Sequence, residues 1–348
     1  MADYKEHYDN VSGNYDYNYS DPDLSDSMAP EIQPTQVVSL VCYGLVSLLG
    51  VPGNGLVIWV TGFSMPRSVT SMWFLNLAVA DFLCCLSLPL LMVPLAHDNH
   101  WHFGPLACML VKGLFYLVMY CSVLLLVVIS LDRWLLVTIP VWCQNHRRPR
   151  EAAWLCVGVW CLALLGSIPQ FVYTKQIKYG EKKVICTGRY TLHSAWIITT
   201  FRFLAGFLLP FLTIVVCHLK VYVRATQGMQ CRARSQRTLR VIVAVTLSFF
   251  FCWLPLHILD FIVLVTSLVS PWMPTIYWVH SLALCLAYFN SCLNPLLYVC
   301  LGQGFKDSMN RSLRSVLQFI SEEPRARASI TNNTNTNSSA MRLEATTT

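Results

Sequence analysis

Seven long apolar runs, at about residues 37–62, 71–96, 107–138, 152–173, 196–222, 239–266 and 275–301, decide what this chain can fold into. Each exceeds the roughly 20 residues an α-helix needs to cross a bilayer. Inside hydrocarbon every backbone N–H and C=O must find a partner within the protein, so runs of this length are expected as helices. Composition agrees: 55% of the 348 residues are hydrophobic and only 12% charged, against roughly 25% charged in a soluble domain. The fold class expected is an all-α integral membrane protein, a seven-transmembrane helix bundle. Prolines at 89, 169, 210, 255 and 295 are tolerated as kinks where neighbouring helices restore the lost backbone partners.

Basic residues give the orientation. Arg67 follows run one; His146, Arg147, Arg148 and Arg150 follow run three; Arg224, Arg232, Arg234, Arg237 and Arg240 follow run five; Lys306, Arg311 and Arg314 follow run seven. The positive-inside rule places these in the cytoplasm. An odd number of crossings then puts the acidic first 36 residues outside. The sequons Asn10-Val-Ser and Asn18-Tyr-Ser fall there, where glycosylation can reach them; the Asn-Thr-rich stretch near 332–339 falls inside and is read as unmodified. No basic segment precedes an apolar core at the N-terminus, so the first run is expected to act as its own targeting signal. The expected location is the plasma membrane, multi-pass, with the N-terminus extracellular.

Four regions follow: an acidic, Tyr-rich outer tail over 1–36, the bundle over 37–301, a short amphipathic helix on the inner leaflet over 302–320, and a disordered Ser/Thr-rich tail over 321–348. Phe305, Met309, Leu313, Val316 and Leu317 among Lys306, Arg311 and Arg314 carry the third reading, a spacing suited to a helix lying on membrane lipid. The net charge of +7 is confined to short loops, which argues against nucleic acid. Most of the 15 cysteines lie inside apolar runs, where a thiol behaves as a small hydrophobe. Cys108 and Cys186 face the oxidising side, where a disulfide between them is favoured over two free thiols.

Polar groups inside a membrane are costly and mark function or a structural hydrogen bond. Asn54, Asp81, Ser122, Asn290 and Asn294 are such groups. Asp81 is the carboxylate deepest in its run, and an isolated buried carboxylate must protonate or find a cation. Oxygens of Ser122, Asn290 and Asn294 favour a sodium ion over a protonated acid. Arg133, beside Asp132 where run three meets the inner surface, either pairs with that acid or simply snorkels. Trp253 stands beside Pro255, one turn from Phe249, where a ring next to a kink can switch packing.

Taken together, Gly53-Asn54, Leu77-Ala-Val-Ala-Asp81, Cys108, Asp132-Arg133, Trp160, Pro210, Trp253-Leu-Pro255 and Asn294-Pro295-x-x-Tyr298 resemble the rhodopsin-like G-protein-coupled receptors over about residues 37–320. His100-Trp-His-Phe-Gly, Pro140-Val-Trp-Cys-Gln-Asn-His-Arg and Gly302-Gln-x-Phe are similar to the chemoattractant branch, which includes formyl-peptide, chemerin and complement anaphylatoxin receptors. Cys84-Cys85-Leu-Ser-Leu-Pro and Phe201-Arg202-Phe-Leu-x-Gly-Phe look nearest to the receptors for the anaphylatoxin of complement component five. The resemblance implies leukocyte chemotaxis and inflammatory activation, a heterotrimeric G protein of the inhibitory class, receptor kinases and arrestin. Arg133 would meet the G protein when released. Ser321, Ser329, Thr331, Thr334, Ser338 and Ser339 would be phosphorylated.

A basic protein ligand such as a complement anaphylatoxin suits the outer tail. Tyr15 and Tyr17 lie there among several aspartates, a setting for sulfation that would steer a cationic partner; a merely solubilising tail is the rival reading. Within the bundle, the resemblance has Arg202 meet a ligand carboxylate, near Tyr116, Asp260 and His280, with outer-interface snorkelling as the alternative. The chain departs from its relatives at His280, where an acid is expected, at Thr174, where an arginine is, and at His218, where most relatives carry tyrosine. Asp260 is expected to supply the missing acid from run six. No enzyme and no cofactor beyond an allosteric sodium ion is expected. Rival readings are a receptor for chemerin, formyl peptide or complement component three, or a scavenger without G-protein output.

Overall fold

Hydrocarbon offers a backbone no water to bond, and each of the seven apolar runs answers with a helix. The computed structural model describes residues 34–179, 183–227, 233–267 and 269–301. Its seven spans are Pro34–Ser64, Val69–Ala96, Gly104–Thr138, Pro149–Tyr173, Leu192–Arg224, Ile242–Val265 and Met273–Leu297. Every expected run coincides with one of them. The amphipathic helix expected over 302–320 lies outside the described residues.

Local sequence sets several helix starts. Ser68 and Ser71 form a reciprocal capping box before span two, with Ser71 N donating to Ser68 Oγ at 3.1 Å and Ser68 N to Ser71 Oγ at 2.9 Å. Thr191 and Ser194 repeat the device before span five. Such boxes satisfy amides that a helix start otherwise leaves orphaned. Prolines open span three, span four and a short helix, Pro140–His146, between them, where a missing N–H costs nothing. Interior prolines fall in spans one, two, four, six and seven. Span five widens into a π turn at Leu204–Leu208 just before Pro210, a geometry that often marks functional sites.

Span three is central and packs against spans two, four, five and six. Small residues allow the close crossings, as is usual between membrane helices. A Cβ on Gly50 would collide with the Cys85 side chain, and one on Gly113 would strike the Phe171 ring. Side chains are sorted opposite to a soluble protein: Leu48 and Phe251 are 70% and 71% exposed, whereas Asp81 is 0% exposed. Lipid supplies the missing apolar surroundings.

One element departs from pure helix. Strands β1 (Thr174–Tyr179) and β2 (Lys183–Gly188) form an antiparallel hairpin between spans four and five, with Gln176 opposite Cys186. A disulfide joins Cys186 to Cys108 at the start of span three. The loop after span two clasps the same hairpin. Trp101 N donates to Val184 O at 2.7 Å, and Lys183 Nζ meets Asp98 Oδ2 at 2.8 Å. Asp98 and Asn99 take positive φ values of 51° and 57° in that loop, a conformation those two residue types tolerate better than most.

Candidate ligand cavity and inner charge cluster

Beneath the hairpin the bundle opens into a cavity of about 180 Å³, lined among others by Tyr116, Tyr190, Asp260 and His280. Span six brings Asp260 to its wall and span seven His280, and Arg202 of span five is bonded to Asp260. Arg202 Nη2 donates to Asp260 Oδ2 at 2.6 Å, and His280 Nε2 lies 3.0 Å from Asp260 Oδ1. The Arg202 guanidinium also sits 4.9 Å from the centre of the Tyr116 ring. At 5% exposure Arg202 is not a snorkelling side chain. Arg202 and Asp260, expected near one another, hold each other. Burying either alone would leave a desolvated charge, which their short contact removes.

The wall beside them contains groups that sequence reasoning misses. Tyr190 O–H donates to Gln170 Oε1 at 2.6 Å, and burial raises the phenol above its ordinary range, keeping it a donor. Thr174, the departure noted after span four, is buried and lines the same space. Below the cavity, Trp253 stacks near Phe115 at 5.0 Å and Phe249 at 5.8 Å, so the expected switch pair is in contact. Phe115 continues the stack to Tyr288 at 4.5 Å. His257 is 1% exposed, with neither ring nitrogen hydrogen-bonded, against Phe203, Phe207 and Trp253. No sequence signal separates it from ordinary lining.

At mid-bundle, Asn294 Nδ2 donates to Asp81 Oδ2 at 2.7 Å, joining spans seven and two. Asn54 Nδ2 donates to Ser291 O at 2.8 Å. The remaining oxygens, Asp81 Oδ1, Ser122 Oγ, Asn290 Oδ1 and Asn294 Oδ1, are buried without a hydrogen-bond partner. One carboxylate with neutral oxygens is a donor set that fits a hard cation. Pro295 packs on span one, where a Cβ on Gly53 would lie 3.2 Å from it.

The other end of span three holds Asp132 and Arg133, which pair as expected, with a third residue added. Arg133 Nη2 lies 3.7 Å from Asp132 Oδ2, but the closer partner is Arg147, just past the short helix Pro140–His146. Its Nε reaches Asp132 Oδ1 at 2.7 Å and its Nη2 reaches Asp132 Oδ2 at 3.0 Å. Thr70 Oγ1 on span two accepts from Arg133 at 2.6 Å and from Arg147 at 2.9 Å. One turn above, His218 Nε2 is 3.3 Å from Ser130 Oγ.

The family model described as "7 transmembrane receptor (rhodopsin family)" matches residues 53–298. This chain belongs to the rhodopsin family of seven-transmembrane receptors. The receptor is 62% identical to a "C5a anaphylatoxin chemotactic receptor 1" of Oncorhynchus mykiss, covering 94% of this chain and 96% of the relative. A protein of the same name from Danio rerio is 57% identical, over 92% and 93%. A "C3a anaphylatoxin chemotactic receptor" of Oncorhynchus mykiss is 38% identical, over 94% and 93%. The receptor is thus a chemoattractant receptor of the plasma membrane, not an enzyme. Tyr15, Tyr17, Asn10, Asn18, Ser321, Ser329, Thr331, Thr334, Ser338 and Ser339 lie outside the described residues, as does the side chain of Tyr298.

Proposed function

We propose that this receptor recognises a basic chemotactic protein of the complement anaphylatoxin class, C5a, and signals through an inhibitory-class G protein and arrestin. The observation that carries the reading is the Arg202–Asp260–His280 cluster, whose Asp260 and His280 line the cavity. A peptide ending in arginine brings both a carboxylate and a guanidinium. It can exchange partners with the internal pair, its carboxylate taking Arg202 and its guanidinium taking Asp260, so that no charge is left stranded. Asp260 thereby serves where His280 replaces the acid of its relatives. The higher identity to proteins named for C5a than to one named for C3a points the same way.

Capture is in two steps. The hairpin end and the acidic N-terminal region face the exterior, with sulfated Tyr15 and Tyr17 and glycans on Asn10 and Asn18; the ligand's terminus then enters the cavity. Ligand contacts must favour one packing of Trp253 on Phe115 and Phe249 over another, because only differential affinity shifts an equilibrium. Span six swings, and Arg133 is freed for the G protein. Asp81, Ser122, Asn290 and Asn294 would hold a sodium ion, which supplies positive charge to the resting bundle and opposes that repacking. Receptor kinases would then modify the C-terminal serines and threonines for arrestin, with residues 302–320 lying on lipid.

The test is a panel of C5a, C3a, chemerin and formyl peptides on cells expressing this chain, with nucleotide exchange and arrestin recruitment read in parallel. Potent exchange with C5a, lost in Arg133→Ala at equal surface abundance, is expected. A response to formyl peptides alone relocates the ligand; arrestin recruitment without exchange makes the protein a scavenger.

A further inference from the structure

Two guanidiniums compete for one carboxylate and one hydroxyl at the inner end of span three. A carboxylate offers about four acceptor positions and a threonine hydroxyl two. Arg147 occupies the carboxylate with two hydrogen bonds at 2.7 and 3.0 Å, in the paired fork geometry that suits Arg to Asp. Arg133 is left at 3.7 Å from the same acid and shares the Thr70 hydroxyl with its rival. Arg133 Nε is buried with no hydrogen-bond partner. The arginine expected to leave on activation is therefore the one held less firmly, and the neighbouring positive charge pushes on it.

We propose that Arg147 is a positioning residue for signalling: by occupying Asp132 it keeps Arg133 loosely tethered and ready for an intracellular partner. The short helix Pro140–His146 delivers this competitor. The proposal sets a sign. If Arg147 were a plain lock on the resting state, its removal would raise basal output. As a competitor, its removal returns Asp132 and Thr70 to Arg133, tightens that tether and lowers output. The inference rests on the G-protein reading above, and the experiment separates the two.

Nucleotide exchange on an inhibitory-class G protein is measured with full-length receptor in lipid nanodiscs, with C5a as agonist, for Arg147→Ala, Arg147→Lys, Asp132→Asn and Asp132→Asn with Arg147→Ala. Arg147→Ala should lower agonist potency roughly fivefold, the scale of one partly solvated ion pair, and Arg147→Lys should recover part of it. In the Asp132→Asn background the Arg147→Ala change should have a much smaller effect, because only the Thr70 hydroxyl is left to contest. Unchanged or raised exchange in Arg147→Ala overturns the proposal, as does an undiminished effect when Asp132 is already Asn; a merely structural arginine would give that second result. If wild type drives no exchange with any agonist, the G-protein reading is what fails. Spin labels on spans two and six then decide Arg147 alone: Arg147→Ala should shrink the population with span six displaced, and an unchanged or larger population overturns the assignment.

Discussion

Each end of the bundle sets an aspartate between two basic side chains, and the two ends treat that charge differently. Near the hairpin, Asp260 takes Arg202 at 2.6 Å and His280 at 3.0 Å, with side chains only 4–10% exposed. At the opposite end, Asp132 is shared by Arg147 and Arg133, the arginines about a fifth exposed. The deep cluster is a closed pair with an imidazole beside it, costly to break and hence selective about what may replace a partner. The shallow cluster is crowded with positive charge and can rearrange at little cost. Selectivity suits a site that admits a ligand; ease of exchange suits one that hands an arginine to another protein.

The contrast is tested most severely by removing each acid. Asp260→Ala strands Arg202 in a dry wall and should cost about 3–5 kcal/mol in thermal unfolding. Asp132→Ala should cost about 1 kcal/mol or less, because water screens what remains. Equal losses at the two ends would erase the distinction. Next in size, Cys186→Ser frees the hairpin that roofs only the deep end. A loss of about 2–4 kcal/mol is expected, seen as faster proteolysis of the hairpin with little change in accessibility around Arg147.

Between the ends, Asp81→Asn should abolish the dependence of agonist affinity on sodium, which in wild type should be about tenfold. A sodium effect that survives the substitution would disconnect the middle of the bundle from both clusters. The smallest effect belongs to His257→Phe. The ring volume is nearly kept while two unpartnered nitrogens disappear, so stability should change by less than about 1 kcal/mol, and upward. A large loss would mean that the imidazole serves the Asp260 cluster after all.

Much of the fold was legible because hydropathy over 20 or more residues is a strong signal. Run three, expected at 107–138, is Gly104–Thr138. The hairpin was not, since Thr174–Tyr179 mixes lysine, glutamine and isoleucine without clean alternation, and strand pairing depends on a partner the sequence does not name. Membrane-embedded Arg202 and Asp260 could be placed near one cavity from their positions. Their mutual contact could not, because it depends on the phase of span five, which the wide turn at Leu204–Leu208 resets. Arg147 was hidden for a similar reason. It reads as one of several loop arginines, and only the docking of Pro140–His146 after Ile139 turns it back toward Asp132.

The helix that carries both the disulfide and the Asp-Arg pair has a further property. Spans one, two, four, six and seven are each interrupted by interior proline, and span five by its π turn, yet span three carries proline only at its very start. Cys108 and Arg133 sit on that unbroken rod, roughly 37 Å apart at 1.5 Å per residue. A pull on the roof at one tip is therefore transmitted as axial or rocking motion of a stiff member, with no hinge along the way to absorb it.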